Sequence, residues 1–273
     1  MNQDTRNIRP LKRFGQNYLF DQNIINNIIK EINPEKKDNI VEIGPGRGSL
    51  TEKILEKTNS LTAIEIDKRV KEDLQNKFPG LDLITEDVLK TDFRKIFLKE
   101  NKKIRLVGNI PYNITSPIIF KMIECNDLIE DSVLMVQYEV AKRLNGEKGT
   151  KDYGILSVLL KFFAEVKFCF KVSPSSFYPK PNVFSVVVHL FFKETSIDKE
   201  LKPYLIQVVK ASFGNRRKTL KNSLGNSIFS NINFDDSGID LTMRAEQLES
   251  EDFLILARFV QKRIEMQKDF RDK

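Results

Sequence analysis

From Asn39 onward, short apolar runs alternate with segments whose apolar residues recur at helical spacing. This alternation is typical of an α/β domain built on a mainly parallel sheet. The runs that predict strands are residues 40–43, 61–66, 81–85, 104–107, 133–136, 166–170 and 186–191, which gives a sheet of about seven strands. Only a proline-rich loop separates the last two runs, so we expect them to pair as an antiparallel hairpin.

Helical patterns flank this region on both sides. Asp21 is placed to cap a helix whose isoleucines at 24, 25, 28, 29 and 32 share one face. Near Glu194 the pattern becomes helical throughout, which predicts a small all-helical C-terminal domain. We therefore expect a basic N-terminal arm over residues 1–20 that folds over a ligand, an α/β domain over 21–193 and a helical domain over 194–273.

Charge is concentrated in the predicted helical domain. The chain carries a formal net charge of +7, and residues 201–234 contain six lysines and arginines and no acidic residue. Arg216, Arg217, Lys218 and Lys221 form the densest part of this cluster, at the predicted start of a helix. Such a cluster is suited to phosphate contacts with a nucleic acid, although a solvated basic face has the same appearance.

The composition excludes several classes of site. Cys125 and Cys169 are the only cysteines, so neither a disulfide framework nor a cysteine-based zinc site is expected. His189 is the only histidine, which argues against a His-rich metal site and a Ser-His-Asp triad, and its alternating surroundings predict a strand position. No metal is therefore expected. Because no apolar span of 18 residues occurs, we expect a cytoplasmic protein without a membrane partner.

The stretch from Val41 to Thr51 reads as a strand, a tight turn and a helix start. Gly44, Gly46 and Gly48 alternate in the turn, where they permit positive φ angles and close approach of a ligand to the main chain. The N–H groups at a helix start favour polar or anionic ligand groups. Dinucleotides, S-adenosylmethionine and phosphates all bind at such turns, and some turns serve only packing.

Polar residues follow the next predicted strands, where parallel sheets bind ligands. Glu65 lies about twenty residues after the glycines, at the position where a carboxylate accepts both hydroxyls of a ribose. Asp87 is available to an exocyclic adenine amine, and Ile66 or Val88 can flank the ring. Ser49 replaces the third glycine of the dinucleotide fingerprint, so S-adenosylmethionine suits the loop at least as well as a dinucleotide does.

Asn109-Ile110-Pro111-Tyr112 follows the fourth predicted strand and is the most specific chemistry in the sequence. A conjugated amine is a poor nucleophile, and hydrogen-bond acceptors on its N–H groups make it more reactive. The Asn109 side-chain oxygen and the carbonyl of Ile110 or Pro111 are such acceptors. Tyr112 can stack on a planar base, and Phe177, in the proline-rich loop, can close the opposite face of a base taken out of its helix. The alternative for Phe177 is core packing.

Several motifs in this order resemble those of the small-subunit ribosomal RNA adenine dimethyltransferases, a family that also includes the macrolide-resistance methyltransferases and mitochondrial transcription-factor relatives. The motifs are RFGQNYLFD, VEIGPGRGSLT, EID, EDVLKTD, GNIPYNITSP, SFYPKPNVFS, FGNRRKTLKNSLGN and RAEQL. The resemblance implies a Rossmann-like methyltransferase sheet. It also implies S-adenosylmethionine contacts at Asn17, Leu19, Gly44, Glu65, Asp87 and Asn109, with Gly46, Ile66 and Val88 beside them.

The resemblance further implies transfer of two methyl groups to N6 of each of two adjacent adenosines in the 3′-terminal hairpin loop of small-subunit (16S) rRNA. Tyr112 and Phe177 are then expected to hold the target base. We also expect a monomer acting on a pre-ribosomal particle. Ile110 stands where the small-subunit enzymes more usually have leucine, as in the resistance branch, whereas the C-terminal motifs resemble the dimethyltransferases. The alternatives are a large-subunit rRNA methyltransferase and a fold-retaining assembly or transcription factor.

Overall fold

The computed structural model describes residues 10–11, 14–58 and 60–271. Arg6, Arg9, Lys12 and Arg13, the positive charges predicted in the basic arm, lie outside these ranges. The strands are β1 (Tyr18–Leu19), β2 (Asn39–Ile43), β3 (Leu61–Ile64), β4 (Asp82–Ile84), β5 (Ile104–Asn109), β6 (Ile129–Gln137), β7 (Ala164–Val172), β8 (Phe177–Tyr178) and β9 (Ser185–Phe192). The α-helices are α1 (Gln22–Ile32), α2 (Ser49–Leu55), α3 (Lys71–Lys77), α4 (Phe93–Glu100), α5 (Thr115–Glu124), α6 (Tyr138–Leu144), α7 (Ile155–Phe163), α8 (Leu201–Phe213), α9 (Leu220–Gly225) and α10 (Ser250–Arg271).

A seven-stranded sheet in the order β4-β3-β2-β5-β6-β9-β7 contains every strand that the apolar runs predict. The pairs from β4 across to β6 are parallel, whereas β9 runs antiparallel to both β6 and β7. The predicted hairpin is therefore confirmed, as is the mainly parallel sheet. The strand order reverses beside β2, so the carboxyl ends of β2 and β5 adjoin the crevice where ligands of such sheets bind.

The local sequence accounts for the first helix. The carboxylate of Asp21 accepts the N–H groups of Asn23 and Ile24, which caps the start of α1. Ile25, Ile28 and Ile32 are buried on one face, and the helix ends at Asn33 in the left-handed region. Pro34 follows directly and cannot continue the helical hydrogen bonding.

A second, two-stranded sheet was not predicted from the apolar runs. In it β1 pairs antiparallel with β8, so that Tyr18 lies opposite Tyr178 and Leu19 lies opposite Phe177. Leu19 and Phe177 are both buried in a core cluster that also contains Ile25, Ile28 and Ile32 of α1. We call the pair β1 and β8 the aromatic ribbon. It fixes the segment before α1 to the loop before β9.

The chain divides into two compact units. The first contains the chain up to Ala141 together with Ala164–Lys193, and the second contains Lys142–Phe163 together with the chain from Glu194. The second unit thus includes residues 142–163, which the sequence analysis placed in the α/β domain. Its core contains Phe213 stacked on Phe253, with Tyr153 edge-on to Phe213. Among the described residues, no helix is both long enough and apolar enough to span a membrane.

Candidate active site

A cavity of about 300 Å³ lies at the carboxyl ends of the parallel strands of the first unit. Residues 14–19 form one side of it, and the segments that follow β2, β3, β4 and β5 form the others. The lining includes every residue that the sequence analysis proposed as a cofactor contact, namely Asn17, Leu19, Gly44, Gly46, Glu65, Ile66, Asp87, Val88 and Asn109. Ile110, Pro111 and Tyr112 line it as well. Their roles stay predictions, but the fold brings these residues together.

The glycine turn has the conformation that its sequence requires. Gly44 and Gly46 have φ angles of +68° and +56°, which side-chain-bearing residues rarely adopt. A Cβ atom at Gly46 would lie 3.0 Å from the Tyr18 ring, so this glycine also makes room for the aromatic wall of the cavity. Gly48 has a different role, because a Cβ atom there would lie 2.4 Å from Phe78. The first two glycines shape the cavity, and the third permits helix packing.

Glu65 connects the end of β3 to the glycine turn. Its carboxylate accepts the N–H of Gly46 at 3.2 Å and the N–H of Asp67 at 2.8 Å. Burial raises the pKa of Glu65, and these two N–H groups oppose that shift. The carboxylate is therefore held in one orientation at the cavity wall, and its remaining lone pairs can accept the hydroxyl groups of a ligand.

The segment after β4 offers a second polar contact beside apolar ones. Asp87 uses one carboxylate oxygen to accept the N–H of Leu89 at 2.9 Å. Val88 is buried, whereas Ile66, two residues beyond the end of the neighbouring strand β3, is 45% exposed although it lines the cavity. An apolar side chain left open at a cavity wall is suited to the face of a planar ring.

Four further lining residues were not singled out from the sequence: Gln16, Tyr18, Glu42 and Arg47. Gln16 donates to Asp67 at 3.0 Å, and the Arg47 guanidinium lies 4.7 Å from the centre of the Tyr18 ring. Glu42 lay within the quoted glycine motif, which was a signal that could have identified it. Tyr18 lay within the quoted motif RFGQNYLFD, which was the corresponding signal, and its position depends on the pairing of β1 with β8.

Glu42 is the most perturbed carboxyl group at this site. Burial raises its pKa to about 7, against the hydrogen bond that Thr51 Oγ1 donates at 2.6 Å, and the nearby Glu65 carboxylate raises it further. Two carboxyl groups thus share a buried wall, and a ligand with a positive charge relieves the cost of ionising both. The cavity is electrostatically suited to a cation.

The N-terminal segment fixes the orientation of the Asn109 amide. Asn109 Nδ2 donates to the backbone carbonyl of Asn17 at 2.7 Å. An amide that uses its nitrogen in this way keeps its oxygen as an acceptor. Asn109 can therefore accept a hydrogen bond from an amino group in the cavity, which is the role that the sequence analysis predicts for it.

The rest of the tetrapeptide distinguishes between the two candidate carbonyl acceptors. The Pro111 carbonyl accepts the N–H of Ile114 at 3.0 Å, whereas the proline ring holds Ile110 in an extended conformation. We therefore favour the Ile110 carbonyl as the second acceptor. The hydroxyl of Tyr112 is 2.7 Å from Ser185 Oγ, which ties the tyrosine to the start of β9. Burial raises the pKa of Tyr112 and keeps it neutral.

For Phe177 the sequence left two roles open, holding the target base and packing in the core. Its side chain is 3% exposed, it packs in the core with Leu19, and it is not among the residues that line the cavity. The reason is the alternation of the aromatic ribbon, which points Phe177 and Leu19 inward and places Tyr178 on the opposite face. The core-packing alternative describes Phe177 in this structure.

The residues of the cavity are suited to S-adenosylmethionine on chemical grounds. The hydroxyl of Tyr18 is buried and has no hydrogen-bond partner within the described residues, so a bound ligand would satisfy it. The carboxyl groups of Glu42, Glu65 and Asp87 suit a cationic ligand that also carries a ribose and an adenine amine. In the described part of the chain, no group of three or more His, Cys, Asp or Glu residues is arranged to hold a metal ion.

The basic cluster of the second unit lies around the start of α9. Arg217, Lys218 and Lys221 are exposed. Arg216 is exposed as well, and its guanidinium also donates to the carbonyls of Lys151 and Tyr153 and pairs with Glu246 at 3.3 Å. The first three residues fit the predicted phosphate contact, and Arg216 has a structural role beside it. Leu220 and Leu224 are buried, as their spacing predicts.

Comparisons with known proteins agree with this geometry. Residues 8–262 match the family described as ribosomal RNA adenine dimethylase. The ribosomal RNA small subunit methyltransferase A of Xylella fastidiosa is 43% identical over 250 residues, covering 90% of this chain and 94% of that protein. The protein of the same name from Legionella pneumophila is 42% identical over 259 residues, with coverages of 92% and 98%.

Two solved structures extend the comparison to the fold. A dimethyladenosine transferase from Plasmodium falciparum superposes with a TM-score of 0.70 at 28% identity, covering 89% of this chain and 98% of the other. The 23S rRNA methyltransferase ErmE superposes with a TM-score of 0.63 at 25% identity and the same coverages. The predicted Rossmann-like methyltransferase sheet is therefore confirmed. The chain belongs to the ribosomal RNA adenine dimethylase family.

Proposed function

We propose that this protein uses S-adenosylmethionine to dimethylate N6 of two adjacent adenosines in the 3′-terminal hairpin loop of small-subunit (16S) rRNA. We further propose that it acts as a monomer on a pre-ribosomal particle. The relatives named small subunit methyltransferase A, each about as long as this chain, support this choice of substrate. The observation that carries the chemistry is the Asn109 amide, whose nitrogen is bound by Asn17 and whose oxygen is left as an acceptor.

Each part of the cavity has a proposed contact with the cofactor. Glu65 and the Tyr18 hydroxyl would bind the ribose, and Asp87 would accept the adenine amine between Ile66 and Val88. Gly44 and Gly46 would leave space for the methionine part of the cofactor. Glu42 would face the charged amino group of that part. When bound, S-adenosylmethionine supplies a methyl group activated by a sulfonium centre. The acidic wall favours that positive charge before transfer.

The tetrapeptide would act on the acceptor base. Asn109 Oδ1 and the Ile110 carbonyl would accept hydrogen bonds from the N6 N–H groups, which makes the nitrogen lone pair available to the methyl group. Tyr112 would stack on the adenine, with its ring held by Ser185. The amine that gains the methyl group releases one N6 proton to solvent after transfer, so the transfer itself needs no general base at this site. The contribution of the chain is to orient the amine towards the methyl group.

A large-subunit rRNA substrate is the second candidate. Ile110, which resembles the resistance branch, and the superposition with the 23S rRNA methyltransferase ErmE favour it. The small-subunit relatives share more identity with the chain than ErmE does, 43% against 25%, so we retain the small subunit as the substrate.

In the deciding experiment, the purified protein is incubated with isotopically labelled S-adenosylmethionine and, separately, with each of three acceptors. These are small-subunit particles from cells that lack the modification, large-subunit rRNA, and protein acceptors. We expect label only in the small-subunit rRNA, located by mass spectrometry as two adjacent dimethyladenosines. Label in large-subunit rRNA would instead support the second candidate, and label in protein would refute both.

Asn109→Ala tests the assigned acceptor. We expect methyl transfer to fall at least a hundredfold, because the acceptor on N6 is lost while the sheet is unchanged. Mass spectrometry of the rRNA product measures the loss, and thermal unfolding checks that the variant is folded. Near-normal amounts of dimethyladenosine would contradict the role of Asn109.

A further inference from the structure

Two large aromatic side chains stand exposed on the aromatic ribbon beside the cavity. Phe20 is 56% exposed and Tyr178 is 60% exposed. Tyr178 lies opposite Tyr18, and residues directly opposite in an antiparallel pair share one face. Phe20 is two residues beyond Tyr18, so the alternation of an extended chain returns it to the same face. The face therefore carries three rings, and one of them, Tyr18, also lines the cavity.

The ribbon holds these rings on a fixed support. Phe20 N–H donates to the Ser176 carbonyl at 3.1 Å, and Ser176 Oγ donates to Asp21 at 3.0 Å. Ser49 Oγ donates to the Leu19 carbonyl at 3.0 Å, which connects the ribbon to α2. Leu19 and Phe177 anchor the opposite face in the core. Aromatic rings on a pre-ordered backbone lose little conformational entropy on binding a ligand.

The charge around the ribbon favours an anionic partner. The segment 173–184, which contains β8, has Lys180 and no acidic residue, and Lys171 precedes it near the end of β7. Lys180 follows Tyr178 by two positions and is exposed. Exposed aromatic rings beside positive charges are characteristic of surfaces that bind single-stranded nucleic acid, where the bases stack and the phosphates pair with lysine.

We propose that Phe20 and Tyr178 stack on the unpaired bases that flank the pair of target adenosines in the RNA loop. This inference rests on the proposed function and deepens it, because it adds a surface that requires an unpaired strand on either side of the methylated base. Tyr18 connects this surface to the cofactor cavity, so a strand stacked on the ribbon lies next to the reacting centre. Lys180 is positioned to meet the phosphates of that strand.

The test measures binding of the isolated 3′-terminal hairpin RNA of the small subunit to the full chain by fluorescence anisotropy. The double variant Phe20→Ala/Tyr178→Ala lacks both rings. We expect the Kd for the hairpin RNA to rise roughly tenfold for each ring that is removed. Tyr178→Phe and Phe20→Tyr keep a ring and are expected to bind like the wild type. Leu98→Ala is the matched control, because Leu98 is an equally exposed apolar residue (65%) on α4.

A second RNA makes the test specific for stacking. When the nucleotides on either side of the two target adenosines are abasic, the double alanine variant and the wild type are expected to bind with the same Kd. Equal affinity for the intact hairpin would overturn the proposal, as would a loss with Tyr178→Phe as large as with Tyr178→Ala. Thermal unfolding and cofactor binding, both expected unchanged, exclude misfolding.

Methyl transfer distinguishes failure of this contact from failure of the proposed function. The wild type and the double alanine variant are both assayed on unmodified small-subunit particles, with a raised KM expected for the variant. If the wild type methylates the small-subunit rRNA and the variant has the same KM, the stacking contact is wrong and the proposed function stands. If the wild type does not methylate the small-subunit rRNA, the proposed function is wrong, and so is the stacking contact that rests on it.

Discussion

Tyr18 carries a buried hydroxyl without a hydrogen-bond partner among the described residues, in the wall of the candidate cofactor cavity. Burial raises its pKa, and the neighbouring carboxylates of Asp67 and Glu65 add to the shift, so the hydroxyl stays a neutral donor. An unsatisfied buried hydroxyl costs free energy in the absence of ligand, which a ligand acceptor would recover.

Tyr18→Phe is therefore expected to have opposite effects on the free and the bound protein. Urea unfolding of the free protein should show an unchanged or slightly higher free energy of unfolding, by up to about 1 kcal/mol. Isothermal titration calorimetry should show roughly fivefold weaker binding of S-adenosylmethionine, since one hydrogen bond is lost. Tyr204→Phe, in the second unit, is the control. Unchanged cofactor affinity in Tyr18→Phe would contradict the role of the hydroxyl.

Glu42 gives the stability of the protein a pH dependence of unusual sign. The folded chain holds the Glu42 proton up to about pH 7, whereas the unfolded chain loses it near the ordinary value of 4.5. Between these values the folded state binds more protons, so this group lowers stability as the pH rises. The full loss of stability is reached once the pH exceeds the pKa of Glu42 in the folded chain, about 7.

Glu42→Gln should remove that loss, because an amide cannot ionise and its oxygen still accepts from Thr51 Oγ1. We expect the variant to gain about 2–3 kcal/mol in free energy of unfolding over the wild type at pH 8, and little at pH 4. Urea unfolding at several pH values measures the difference. Glu52→Gln, at an exposed position on α2, should show no such trend. Parallel curves for Glu42→Gln and the wild type would disprove the assignment.

At the scale of elements, the sheet and the glycine turn were predictable and the aromatic ribbon was not. Strands β2 and β3 are continuous apolar runs, and Gly44 and Glu65 are placed by the strands that immediately precede them. These are local signals. The ribbon joins Tyr18 to Tyr178, which are far apart in sequence, through strands of two residues each. No periodicity can be read from two residues, so the sequence could not decide whether Phe177 holds the target base or packs in the core.

A network of charged side chains joins α1 to strands β5, β6 and β9 of the seven-stranded sheet. The Asp131 carboxylate on β6 accepts from Arg105 on β5 at 2.7 Å and from His189 on β9 at 2.9 Å. The other ring nitrogen of His189 is 2.8 Å from Glu31 on α1. Burial opposes ionisation of both carboxyl groups, but the hydrogen bonds from His189, Arg105 and Lys167 outweigh it and lower the pKa of Asp131 and of Glu31.

Asp131→Asn breaks this network on one side and leaves Arg105 and His189 with a weaker acceptor. We expect the free energy of unfolding at pH 7 to fall by about 3 kcal/mol. Since the lowered carboxyl pKa values stabilise the fold only while the groups are ionised, the wild type should lose this advantage as the pH falls below about 4. Chemical unfolding at pH 7 and pH 3 checks both statements. Glu130→Gln, exposed on the same strand, should differ little from the wild type at either pH.

On the scale of the whole molecule, the positive charge of the second unit has two roles. All four basic residues of the cluster are exposed, but Arg216 also binds carbonyl groups and Glu246 within the unit. Sequence reasoning located the cluster, because a run without acidic residues is visible in composition. It could not separate Arg216 from its neighbours, since that depends on the position of residues 151–153 in the fold.

Replacing Arg217, Lys218 and Lys221 together by alanine should weaken RNA binding and flatten its salt dependence. Each lost phosphate contact lowers the slope of log K against log salt by roughly 0.7–0.9, so the slope should fall by about 2–3. Filter binding at several salt concentrations measures it, and cofactor affinity should be unchanged. Alanine at Lys36, Lys37 and Lys57 removes the same charge from exposed positions of the first unit and is the control. An unaltered slope would rule out phosphate contact by the cluster.

Arg216→Ala should have a different effect. The contacts of its guanidinium with residues 151, 153 and 246 are lost, so the expected result is a lower melting temperature rather than a lower salt slope. Differential scanning calorimetry separates the two effects. A melting temperature equal to that of the wild type would show that these contacts contribute little.

The hydrogen bond from Asn109 to the Asn17 carbonyl spans 92 residues and has a practical consequence. A protease that clips the chain shortly before Asp21 would remove the carbonyl that orients the amide, while every side chain of the tetrapeptide remained in the main fragment. Such a preparation would keep its sheet and almost all of its mass, but its specific activity would fall. Intactness of the N-terminus is therefore a better index of active enzyme than total protein concentration.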